Sequence, residues 1–113
     1  MQPKANPLRL NMLQLKTLTL LQEIARHPEA GTALENGGFQ INRLPRAHGD
    51  HFHIGEAAVR GADATGLSNE MVWRALERKQ LAQSAYPQAI TLTPAGLAYD
   101  TGLRDKILHV AGH

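Results

Sequence analysis

Residues 48–55, "HGDHFHIG", bring His48, Asp50, His51 and His53 within six positions. Imidazoles ligate metals and exchange protons near neutral pH. If the segment is extended, His51 and His53 share one face, and His48 could fold over from the turn. Three histidines could hold zinc or nickel with an open position. The same residues equally suit a polar strand and turn whose imidazoles hydrogen-bond locally. A second set, in "LSNEMVWRALERKQ", combines Ser68, Asn69, Glu70, Trp73, Arg74, Arg78 and Lys79. Asn suits the edge of adenine and Arg that of guanine, while Glu can accept from cytosine. Arg78 and Lys79, with Lys16 and the N-terminal Lys4 and Arg9, could meet phosphates. The plain alternative is a solvated helix face with intrahelical Glu–Arg pairs.

Other chemistries find little support. No nucleophile is accompanied by a base. "ENGGFQ" is a turn without the Gly-Lys-Ser/Thr ending of a phosphate loop. Asp100 and Asp105 are five apart and do not form a convincing acid–base pair. The sequence is therefore read as non-enzymatic, with no cofactor.

The chain has 113 residues, a 42% apolar fraction and a net charge of +2, which suit one globular domain. There is no cysteine, so no disulfide or thiolate-bound zinc holds it. No apolar run approaches the roughly 20 residues of a membrane span, and the start "MQPKANPLRL" has no signal-peptide core. A cytoplasmic protein without membrane contact is expected. Charge is uneven. Residues 1–27 set Lys4, Arg9, Lys16 and Arg26 against Glu23 alone.

Several elements must position these residues. Residues 1–9, with two prolines and no periodicity, read as a flexible arm. "NMLQLKTLTLLQEIARHP" reads as a helix with Asn11 as cap, Gln14 completing a capping box and Pro28 as stop. "FQINRL" and "HFHIG" alternate in polarity, which predicts a hairpin of about 39–44 with 51–54. "EAAVRGADATG" reads as helical despite Gly61. A second helix follows, with Ser68 as cap. "LAQSAYPQAITLT" reads as a hairpin with Pro87 in its loop. Thr93 and Pro94 open a last helix, which either continues through "TGLRDKILHVAG" or restarts after Gly102.

This order, with Ala62, Gly66 and Val72 at the offsets of a helix-turn-helix and "LTPAG" after the hairpin, resembles the winged helix-turn-helix superfamily. The hairpin and the helix after it are similar to those of MarR-like regulators, over roughly residues 55–98. The resemblance implies an α+β fold for residues 10–113: a three-helix core, a small antiparallel sheet with a wing, and a C-terminal helix. It places Ala62 where two helices cross, Gly66 at a positive-φ turn and Val72 inward. It also implies a DNA-binding face of Ser68, Asn69, Glu70, Trp73, Arg74, Arg78, Lys79 and Lys16. Gln80 stands where a helix-ending glycine is usual, and the wing tip "QSAYPQ" has no Lys or Arg. Trp73 is also read as packed under the wing.

The function expected is duplex-DNA binding by a small transcriptional regulator. The first helix and C-terminal segment could form a homodimer. The alternatives are a protein-docking module on the same fold, or a metal or pH sensor built on His48, His51 and His53.

Overall fold

The computed structural model describes residues 6–110. Lys4 lies outside them. The first helix, α1, spans Met12–Ile24. Its start is fixed as expected: Asn11 Oδ1 accepts from the Gln14 amide at 2.8 Å, and the Asn11 amide donates to Gln14 Oε1 at 3.0 Å. Leu18, Leu20, Leu21 and Ile24 are buried within this chain, whereas Leu13 and Leu15 are half-buried and Met12 is exposed.

Two four-stranded antiparallel sheets follow. The strands are β1 (Gly31–Ala33), β2 (Phe39–Ile41), β3 (Ala47–His48), β4 (His51–Ile54), β5 (Ala57–Arg60), β6 (Ala82–Ala85), β7 (Ala89–Leu92) and β8 (His109–Val110). The first sheet has the order β1-β2-β7-β6, and the second has β3-β4-β5-β8. The remaining helices are α2 (Glu70–Arg78), α3 (Pro94–Ala98) and α4 (Arg104–Ile107).

The hairpin expected between 39–44 and 51–54 does not form. Phe39 pairs with Leu92 and Ile41 with Ile90, whereas β4 pairs with β3 and β5. The side chains explain the choice. Phe39 and Ile41 turn to one face and meet Ile90 and Leu92 in the core, a better partner than the half-polar β4.

The helix expected over "EAAVRGADATG" is also replaced. Ala57–Arg60 is strand β5, followed by 3-10 turns at Gly61–Asp63 and Thr65–Ser68. Val59 and Ile54 gain burial on one sheet face, which outweighs the helical preference of the alanines. Ala62 is consequently exposed and is no helix-crossing residue. Gly66 is not among the positive-φ glycines. It must be small for another reason: a Cβ there would stand 1.8 Å from Thr17 Oγ1 and 3.0 Å from Thr17 Cβ.

The chain ends are tied to α1. Thr93 Oγ1 accepts from the Gly96 amide and caps α3, with Pro94 in its first turn. Gln22 Nε2 donates to the carbonyls of Gly96 and Tyr99 at 2.8 and 2.7 Å. The hydroxyls of Thr19 and Thr101 meet at 2.5 Å, and Arg104 pairs with buried Glu23. A separate helix restarts after Gly102. The arm expected over 1–9 is docked from Asn6 onward. Asn6 bonds the backbone of Leu10 and accepts from the Tyr99 hydroxyl, which also receives the Leu8 amide. No helix among the described residues is long and apolar enough to cross a membrane.

Gly66→Ala should destabilise the protein by about 1–3 kcal/mol through overpacking against Thr17. Urea denaturation monitored by Trp73 fluorescence measures this. An unchanged midpoint would contradict the close approach of the 3-10 turn to α1.

Candidate nucleic-acid interface

α2 is a short amphipathic helix. Val72, Trp73, Ala75 and Leu76 are buried, while Glu70, Met71, Arg74, Glu77, Arg78 and Lys79 are exposed. Its cap is Asn69, not Ser68: Asn69 Oδ1 accepts from the Met71 amide at 3.0 Å. That bond occupies the oxygen that a two-point contact with adenine would use. Releasing it costs about 1 kcal/mol of helix capping. Ser68 is exposed. Its hydroxyl donates to the Thr65 carbonyl at 3.4 Å, and its own carbonyl accepts from the Tyr86 hydroxyl at 2.9 Å.

Trp73 is removed from the expected DNA-contacting set. It is wholly buried, with its ring edge-on to Tyr86 at 4.7 Å between centroids. Its position follows from the helical period, which places residue 73 beside Val72 and Leu76 on the core side. The Tyr86 side chain thus joins the β6–β7 hairpin to α2, where its ring meets Trp73, and to the turn before it, where its hydroxyl meets Ser68.

The charged side chains are not equally available. Arg74 Nε and Nη2 both donate to Glu70 Oε2, at 2.9 and 2.8 Å. This is the intrahelical pair expected at four-residue spacing, and it is solvent-exposed. Lys16 on α1 pairs with Asp63 at 2.7 Å, with both side chains largely covered. Arg78 and Lys79 are exposed and have no partner among the described residues. Glu77 lies beside them.

The end of α2 is better closed than its sequence suggests. Gln80 adopts φ 62°. Its amide donates to the Glu77 carbonyl at 2.9 Å, and the Leu81 amide donates to the Leu76 carbonyl at 3.0 Å. These two bonds form a Schellman motif with glutamine in the position glycine usually holds. Thr93 Oγ1 also donates to the Gln80 carbonyl at 2.8 Å.

The histidine cluster lies on the second sheet. His48 is registered opposite His51, and the imidazole of His53 stands edge-on to His48 and His51 at 5.3 and 4.9 Å. Despite this proximity, no group of three His, Cys, Asp or Glu side chains among the described residues is arranged to hold a metal ion. The alternative metal site on His48, His51 and His53 is therefore not formed in this arrangement. Arg60 and His109 reach the same face through their register with His51 and, by way of Ala58, His53. Sequence reasoning missed both residues. For Arg60 the alternation that could have revealed it runs through "AAVR", which reads as helix; His109 lies in "TGLRDKILHVAG", also read as helix.

Compared with known proteins, the chain gives no significant match to a family model, a curated protein or a solved structure.

A left-handed residue other than glycine at a helix end carries a conformational cost. Gln80→Gly should therefore stabilise the protein by about 0.5–1 kcal/mol, a gain held down by the added freedom of the unfolded chain. Chemical denaturation of the two proteins in parallel measures it. A loss of stability would mean that the glutamine side chain supports the helix end.

Proposed function

We propose that the protein binds duplex DNA through α2 and the β6–β7 hairpin, as a small winged-helix transcriptional regulator. The observation that carries this reading is the order of elements around α2. A leading helix is followed by strands β1–β5, two 3-10 turns, a capped amphipathic helix and the β6–β7 hairpin, and strand β2 lies beside β7. That arrangement accords with a winged helix in which 3-10 turns stand for the middle helix and a second sheet is inserted between β2 and those turns. The exposed side of α2 then faces outward for a groove.

Roles follow from availability. Arg78 and Lys79 are the first candidates for phosphate contacts, being exposed and unpaired among the described residues. Arg74 is the candidate for a base contact. Its exposed pair with Glu70 is worth about 0–1 kcal/mol, less than the roughly 1–3 kcal/mol of a two-point contact with guanine. Exchange is therefore favourable. Glu70 would then be left near phosphate, which limits the gain.

A second reading is favoured by one residue. Met71 is 79% exposed on the same side of α2. An exposed methionine beside an uncharged wing suits a protein partner's apolar pocket.

Salt distinguishes the two. Binding to random duplex DNA should weaken linearly on a logarithmic salt scale, and Arg78→Ala with Lys79→Ala should lower that slope by about two. Fluorescence anisotropy with a labelled duplex gives both slopes. Absence of binding at low salt would sink the DNA reading and leave the docking surface centred on Met71.

A further inference from the structure

The outer face of the second sheet is a titratable cationic surface, and we propose that it binds the phosphate backbone of nucleic acid when its histidines are protonated. The inference does not rest on the reading of α2.

The strand register defines the face. His48 pairs with His51, His51 with Arg60, His53 with Ala58, and Ala58 with His109. Paired residues point to the same side of a sheet, as do alternate residues of one strand. His48, His51, His53, Arg60, Ala58 and His109 therefore share one face. The other face carries Phe52, Ile54, Ala57 and Val59, of which Ile54 and Val59 are buried in the core. Polarity is thus segregated by side, and the outer side has no acidic residue on its strands.

His48, His53, Arg60 and His109 are exposed, and His51 is half-buried. The imidazole of His53 stands 5.3 and 4.9 Å from those of His48 and His51, close enough for like charges on these rings to repel. A chain of phosphates laid across them offsets that repulsion. Its binding and proton uptake are therefore coupled.

Nearby charges sit at the rim. Asp50, in the β3–β4 turn, is fully exposed and lies 3.3 Å from His51 Nδ1. Glu29, Arg43 and His27 line a small cleft that His53 borders. Glu23, Glu56, Asp105, Arg104 and His27 line another cleft with His109. His51, His53 and His109 therefore each have an acidic neighbour, Asp50 being the nearest, and the proposed centre of the surface is His48, His51, His53 and Arg60.

Nucleic acid fits this face better than a membrane or an acidic protein. Imidazole rings and an arginine on a sheet can hold phosphates and also stack on unpaired bases. Among the described residues the exposed large apolar side chains, Met12 and Met71, lie elsewhere, and none stands on this face as an anchor for lipid.

The test measures anisotropy of a labelled single strand and a labelled duplex at about pH 5.5 and about pH 8, either side of the ordinary histidine range. At least one of them should bind about tenfold or more tighter at the lower pH. His48→Gln/His51→Gln/His53→Gln should remove that gain, whereas Arg78→Ala/Lys79→Ala should keep it. Arg60→Gln alone should weaken binding at both pH values, and it tests the same face if the triple variant does not fold. Equal affinity at both pH values, or a pH gain retained in the triple variant, would overturn the proposal. Tighter binding to phosphatidylserine vesicles or polyglutamate than to either oligonucleotide would also overturn it.

Discussion

The approach of Gly66 to Thr17 is the contact on which the arrangement of α2 depends. Thr17 turns its hydroxyl back to the Leu13 carbonyl at 2.8 Å, so its Oγ1 is held within α1. The 3-10 turn can then lie directly on the helix, provided residue 66 has no side chain. Beside this contact, Lys16 holds Asp63 and orients the preceding turn. Further along α1, Thr19, Gln22 and Glu23 hold Thr101, the Gly96 and Tyr99 carbonyls, and Arg104. One helix thus fixes both the entry to α2 and the C-terminal segment through specific polar bonds. Its leucines supply burial, and these polar groups supply register.

Local signals were legible where a short-range bond decides the outcome. Asn11 and Gln14 cap α1 as read, and Thr93 with Pro94 opens α3 as read. The β6–β7 hairpin is also where the alternation placed it. Signals failed where the partner is distant. Nothing inside "FQINRL" tells that Phe39 will face Leu92, because that pairing closes a long loop and is chosen by core complementarity. "AAVR" failed differently: its main partner β4 is adjacent, across the two-residue turn Gly55–Glu56, and the helix-forming alanines masked that local hairpin. Gly66 reads as a positive-φ turn residue, which it is not; glycine is needed there because Thr17 lies against it, a contact that its own neighbours in sequence do not show.

The candidate site was legible as a set of residue types and less so as a set of free groups. Asn69 and Arg74 lie near the start and on the outer side of α2, but each already serves the helix: Asn69 caps it and Arg74 clasps Glu70. Lys16 serves the packing of the turn. Trp73, whose type alone fits either a surface or a core, is settled by the helical period and the Tyr86 ring. Spacing shows which residues can pair, but which pair wins depends on the geometry of neighbours.

Two cationic surfaces result, and they differ in kind. At the end of α2, the cationic side chains are Arg78 and Lys79, held on and just after a helix closed by the left-handed Gln80. On the second sheet, charge depends on imidazoles and is organised by strand register around Arg60. A surface of the first kind is tuned by salt alone. One of the second kind is tuned by salt and protons together, because phosphate binding and protonation favour each other. The leucines of α1, the buried side of α2 and Ile54 and Val59 of the second sheet belong to one core, so the two surfaces are seated on a common support. The proposed phosphate contacts of the sheet depend on side chains of its own outer face, none of which belongs to α2.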